Sequence, residues 1–184
     1  MSLWACGPKL PARYVIETDL DGYRYRRYQQ VLDVELPIEG NAAVAHTATY
    51  VRGGETVHVA PVVLTTYEQA AGLTESVRQR LRGMDGYTLE VVEQGGDHVW
   101  RMRGAAGDLW VLWVSDKYLA KIGAPDGEKE VPSVLVEAYL DLYPSDLDDK
   151  GKAKSGRSSA GPAVTSASAA ASDPNAPAQA TEAP

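Results

Sequence analysis

Three histidines, one cysteine and scattered carboxylates are the side chains from which metal, base or nucleophile chemistry could be assembled in this chain. Gly53-Gly54 sits between two runs of alternating apolar residues, the signature of a hairpin. A two-residue turn there sets Thr49 opposite His58 and His46 opposite Pro61, so the two imidazoles leave opposite faces of the sheet and cannot share a metal. His98 falls beside another turn. The single cysteine, Cys6, can form neither an intramolecular disulfide nor a cysteine-rich zinc set, so no metal and no cofactor is expected. Asp19 and Asp21 could begin a calcium loop, but Tyr23 and Gln30 stand where that loop needs carboxylates, and a turn at Asp21-Gly22 explains the acids. There is no Gly-x-Ser-x-Gly elbow, phosphate-cradling loop or dinucleotide fingerprint, and so no catalytic residue is assigned. One segment has the character of a recognition surface: Tyr23, Arg24, Tyr25, Arg26, Arg27 and Tyr28, of the types that dominate binding hot spots. On a regular strand, alternation puts Arg24 and Arg26 on one face and Tyr23 and Tyr25 on the other.

The elements that must position these residues follow from hydrophobic periodicity. Residues from Arg13 to Leu36 read as extended, with a turn at Asp21-Gly22 that would set Asp19 opposite Arg24 and Glu17 opposite Arg26. Ala43 to Val51 and Thr56 to Leu64 form the hairpin around Gly53-Gly54. From Thr66 the period changes: Ala70, Leu73, Val77, Leu81 and Met84 make a helical stripe, stopped by Gly83 and Gly86. Tyr87 to Gln94 and Asp97 to Arg103 flank Gly95-Gly96, and that turn fixes a register with Leu89, Val91, Trp100 and Met102 on one face and Glu90 opposite Arg101. Leu109 to Val114 is apolar on both faces, as a strand covered on each side would be, with Trp110 and Trp113 pointing opposite ways. Tyr118 to Ile122 follows as a strand. A second helix opens at Pro132, carries a stripe of Val131, Val134, Leu135, Ala138 and Leu142, and ends at Pro144.

The order of strands, helix, strands, helix predicts an α+β fold, mainly an antiparallel sheet with two helices packed on it. Leu20-Asp21-Gly22-Tyr23 and Met84-Asp85-Gly86-Tyr87 stand 64 residues apart, as do Ala60-Pro61 and Ala124-Pro125, which suggests two repeated strand-strand-strand-helix halves. The expected organisation is a tether over 1–12, one domain over 13–148, and an Ala, Ser and Pro-rich tail over 149–184 too poor in large apolar residues to fold. The net charge of -7 speaks against nucleic acid as a partner.

Leu3-Trp4-Ala5-Cys6 resembles the lipobox of bacterial lipoproteins, in which Leu stands three places before a lipid-bearing Cys and Ala directly before it. The resemblance implies lipidation at Cys6, anchoring to a membrane through that lipid, and a place in the bacterial cell envelope facing the periplasm or exterior. Only five residues precede Cys6, so the motif implies a leader encoded upstream of Met1. Otherwise Cys6 is an ordinary thiol and the domain is cytoplasmic. The layout is also similar to small α+β families with pseudo-twofold halves, including the PsbP-like group. Two functions remain open at this point: a non-catalytic envelope domain acting through an unknown protein or small-molecule partner, or a soluble domain binding a small molecule or peptide between sheet and helices, with Tyr23 to Tyr28 at the mouth.

Overall fold

A computed structural model of the protein describes residues 9–31, 44–63, 70–104, 106–124 and 130–154. Cys6 and the chain from 155 onward lie outside them. The described elements are β1 (Arg24–Val31), β2 (Val44–Arg52), β3 (Glu55–Val63), α1 (Ala70–Arg82), β4 (Thr88–Gln94), β5 (Asp97–Arg103), β6 (Leu109–Ser115), β7 (Tyr118–Ala124) and α2 (Ser133–Leu142). The strands make one antiparallel sheet in the order β1-β2-β3-β7-β6-β5-β4. Two consecutive meanders thus meet at β3 and β7, the one strand pairing between them among the described residues. The fold is the expected α+β arrangement of antiparallel sheet and two helices. Val59 faces Ile122 across that central pair. The closing residues of the flanking hairpins, Arg52 with Glu55 and Ser115 with Tyr118, are likewise separated by 63 positions, the spacing from Val59 to Ile122.

Turn chemistry sets the registers. Asp21-Gly22, Gly53-Gly54 and Gly95-Gly96 all have positive φ at both positions, and at the two glycine pairs this matches the right-handed twist of the strands they join. Leu89 pairs with Met102, Glu90 with Arg101 and Val91 with Trp100, as the apolar pattern requires. A 2.7 Å Arg101–Glu90 ion pair marks the solvent side.

The helices lie on opposite faces of the sheet. Leu73, Val77 and Leu81 of α1 are buried on the face carrying Trp110 and Leu112. On the other face Tyr139 and Tyr143, from α2 and its end, meet Tyr50 and Trp113. This is why β6 is apolar throughout: Trp110 and Leu112 face α1, while Val111 and Trp113 face α2. Pro132 caps α2 in an extended conformation, and the Tyr143 N–H returns to the Tyr139 carbonyl at its end. The buried side of α2 is Leu135, Val136, Tyr139 and Leu140, rotated from the stripe expected from aliphatic residues alone.

Two expectations are corrected. The turn at Asp21-Gly22 forms, closed by the Leu20 and Tyr23 backbone pair, but no strand precedes it. Glu17 pairs with Arg13, not Arg26, and Asp19 accepts a hydrogen bond from the Tyr25 N–H instead of facing Arg24. Residues 14–16 are held by tyrosines: the Tyr139 hydroxyl accepts from the Ile16 N–H, the Tyr50 hydroxyl donates to the Ile16 carbonyl, and the Tyr143 hydroxyl donates to that of Tyr14. The packed chain also continues beyond Asp148. Leu147 pairs with Ala153, Gly151 lies against Trp100, and Lys154 binds Asp97 at 2.8 Å, so the last described turn closes over the β4–β5 hairpin.

Candidate functional site

The Tyr and Arg run divides by role. A bulge between Tyr25 and Arg27 inserts one residue into β1, so that Tyr23, Tyr25 and Tyr28 all turn toward the α2 side while Arg24, Arg26 and Arg27 stay exposed. Tyr23 is fully buried; its hydroxyl donates to Glu55 at 2.9 Å and the Arg52 guanidinium lies over its ring. Tyr25 packs edge-on against Tyr50. Tyr28 stacks on His46 and its hydroxyl lies 2.9 Å from Nδ1. These tyrosines are structural anchors. Burial lowers the pKa of His46, favouring its neutral form. His58 leaves the other face, beside Thr49, in the register expected. Among the described residues no group of three or more His, Cys, Asp or Glu converges as a metal site would.

A polar hollow of about 610 Å³ borders Tyr23, Arg52 and Glu55, while a larger and more apolar one lies on the opposite face of the sheet. Between α1 and the sheet is a cleft of about 740 Å³, floored by β2, β3, β7 and β6 and roofed by Val77, Leu81 and Met84. Val31, not the tyrosine run, is the residue of β1 that reaches it. Leu112, Leu119, Val62 and Met102 make its walls apolar, and the charged side chains that line it are Lys121 and Arg80. Among the described residues that line it, none is acidic.

Lys121 stands at mid-strand between Ala60 of β3 and Leu112 of β6, so its stem crosses an apolar floor. Its ammonium lies 3.8 Å from the centroid of Trp110, a cation–π contact. Two glycines with ordinary φ hold that indole in place. A Cβ on Gly123 would lie 2.0 Å from Cε3 of the Trp110 ring, and one on Gly104 would collide with the Asp108 carboxylate, which accepts the indole N–H at 3.0 Å. Burial lowers the Lys121 pKa, and the nearby Asp108 partly opposes that shift. Sequence reading passed over Lys121 and Arg80, and took Trp110 as a core side chain facing away from Trp113. A lone cation inside the apolar run Leu119-Ala120-Lys121-Ile122-Gly123 was the available signal.

Comparison of the chain with family models, with curated proteins and with solved structures finds no match. No helix among the described residues is long and apolar enough to cross a membrane.

Proposed function

We propose that this domain works by binding, accepting a small apolar molecule in the cleft between α1 and the sheet. The observation that carries the proposal is the cleft itself. Packed interiors leave few voids larger than a water molecule, whereas ligand sites are concave, largely apolar and about 300 to 1,000 Å³ in volume. A 740 Å³ space with aliphatic walls and cations at few points fits that description.

A library of apolar small molecules screened by thermal unfolding tests this. A ligand at about a hundred times its Kd stabilises by about 2.7 kcal/mol, which for a domain of this size raises Tm by about 5 to 10 °C. Ala60→Phe, which fills the floor, should abolish the rise. A shift equally large in that variant would place binding elsewhere.

The segment Leu3-Trp4-Ala5-Cys6 favours a location for this activity. We propose that Cys6 carries a lipid and holds the domain at a bacterial membrane surface within the cell envelope. Expressed from its full gene in a bacterial host with a labelled fatty acid, the wild type should take up label and Cys6→Ala should not. Equal labelling, or none in either, rejects the anchor while leaving the cleft untouched.

A further inference from the structure

We infer that the cleft selects ligands bearing a single anionic group, a carboxylate at the end of an aliphatic body, with Lys121 as the group that receives it. This rests on the cleft being a ligand site and adds the class of ligand.

The charge pattern is the first reason. The chain is acidic overall, at -7, yet the described residues that line the cleft include two cations, Lys121 and Arg80, and no carboxylate. Among the described residues Lys121 makes no salt bridge, although Arg13, Arg52, Arg78, Arg101 and Lys154 all do. Taking an ammonium out of water is costly unless an opposite charge or aligned donors and acceptors replace the solvent. Asp108 is near enough to offset part of that cost but makes no ion pair with Lys121, its Oδ2 accepting the Trp110 indole N–H and its carboxylate lying against Gly104. An arriving carboxylate would complete the pair.

The second reason is that the amine is kept in a fixed place against an aromatic face. The face of Trp110 stabilises an ammonium and not a neutral amine, so the site suits ion pairing better than nucleophilic attack. Trp110 cannot swing away without losing the Asp108 hydrogen bond, and Gly123 and Gly104 are the positions at which any side chain would displace this arrangement. The apolar walls then take the rest of the molecule, and Arg80 on α1 supplies a second cation lining the same space.

Dodecanoate and dodecanol share one chain and differ in charge, which makes them the probes. Binding to the full chain is measured by calorimetry, with circular dichroism to confirm folding. Wild type is expected to bind dodecanoate at least about tenfold more tightly than dodecanol. Lys121→Met should lose at least about tenfold for dodecanoate and nothing for dodecanol; Lys121→Arg should recover much of the loss, and Arg80→Gln should weaken dodecanoate several-fold. Equal affinity of wild type for the two probes overturns the anion selectivity while the cleft stands, as does undiminished dodecanoate binding by Lys121→Met. No binding of either probe by any variant overturns the cleft as a site for aliphatic ligands, and the anion selectivity with it.

Discussion

Trp113→Ala is expected to lower the stability of the domain by about 3 to 5 kcal/mol, the range for removing a large aromatic side chain from a packed interior. Trp113 is completely buried on the α2 side of β6, and its indole N–H donates to the Tyr143 carbonyl at 2.6 Å. That carbonyl lies at the end of α2, where no further helical turn is available to accept from. Truncation therefore opens a cavity and leaves a buried acceptor without its donor. The Tyr143 hydroxyl in turn holds residue 14, so loosening the end of α2 should also release the segment before β1. Urea unfolding followed by circular dichroism measures the loss as a lowered midpoint at unchanged slope. Trp113→Phe keeps most of the volume and should cost about 1 to 3 kcal/mol, the penalty for the orphaned carbonyl. A midpoint for Trp113→Ala within 1 kcal/mol of wild type would contradict the packing described.

Alkali should unfold this protein early. In an unfolded chain a tyrosine hydroxyl ionises near pH 10. Burial pushes Tyr50 up to about 12, and Tyr139 and Tyr143 rise well above the usual range for the same reason, with neighbouring tyrosines adding to the effect. Below pH 10 both states keep these protons and the stability they support is complete. Above it the unfolded chain sheds protons that the folded chain retains, so stability falls as pH rises from 10 toward 12 and beyond. At pH 11, one unit above the unfolded pKa, the loss is a little over about 1 kcal/mol for each of the three, or about 4 kcal/mol together. Urea midpoints at pH 8, 10 and 11, with phenolate absorbance recorded in parallel, give both quantities. Native protein showing full phenolate absorbance near pH 10, or a flat midpoint through pH 11, would contradict the buried tyrosine cluster.

Much of the architecture was legible in the residues because its cues are local. The apolar set Leu89, Val91, Trp100 and Met102 tolerates one register about Gly95-Gly96, and that register is the one formed. The same logic separates His46 from His58. What escaped depends on contacts far apart in sequence or on a single irregular residue. The bulge at Tyr25 and Arg27 has no distinctive composition, yet it turns a regular alternation into three inward tyrosines and three outward arginines. The buried face of α2 was displaced because Tyr139 and Tyr143 enter the core, which they can do only with partners at Ile16, Tyr50 and Tyr14 to satisfy their hydroxyls. A groove between sheet and helices is one of two readings the residues allow, with Tyr23 to Tyr28 at its mouth, whereas the cleft under α1 is reached by Val31 and by none of those residues. The chemistry of that cleft was not legible, because Lys121 becomes meaningful only beside Trp110, and Trp110 lies over it only because residues 104 and 123 lack side chains.

The irregularity in β1 has a further consequence, at the margin of the sheet. An outermost strand with open backbone donors and acceptors invites a strand from a second molecule, and long, flat, greasy margins are where runaway association begins. Here the ladder is interrupted after two residues and flanked by Arg24, Arg26 and Arg27, all exposed. A second copy approaching in register would meet mismatched hydrogen bonds and three like charges. The segment with the character of a recognition surface thus carries two features, a bulge and exposed like charges, that disfavour edge-to-edge pairing through β1.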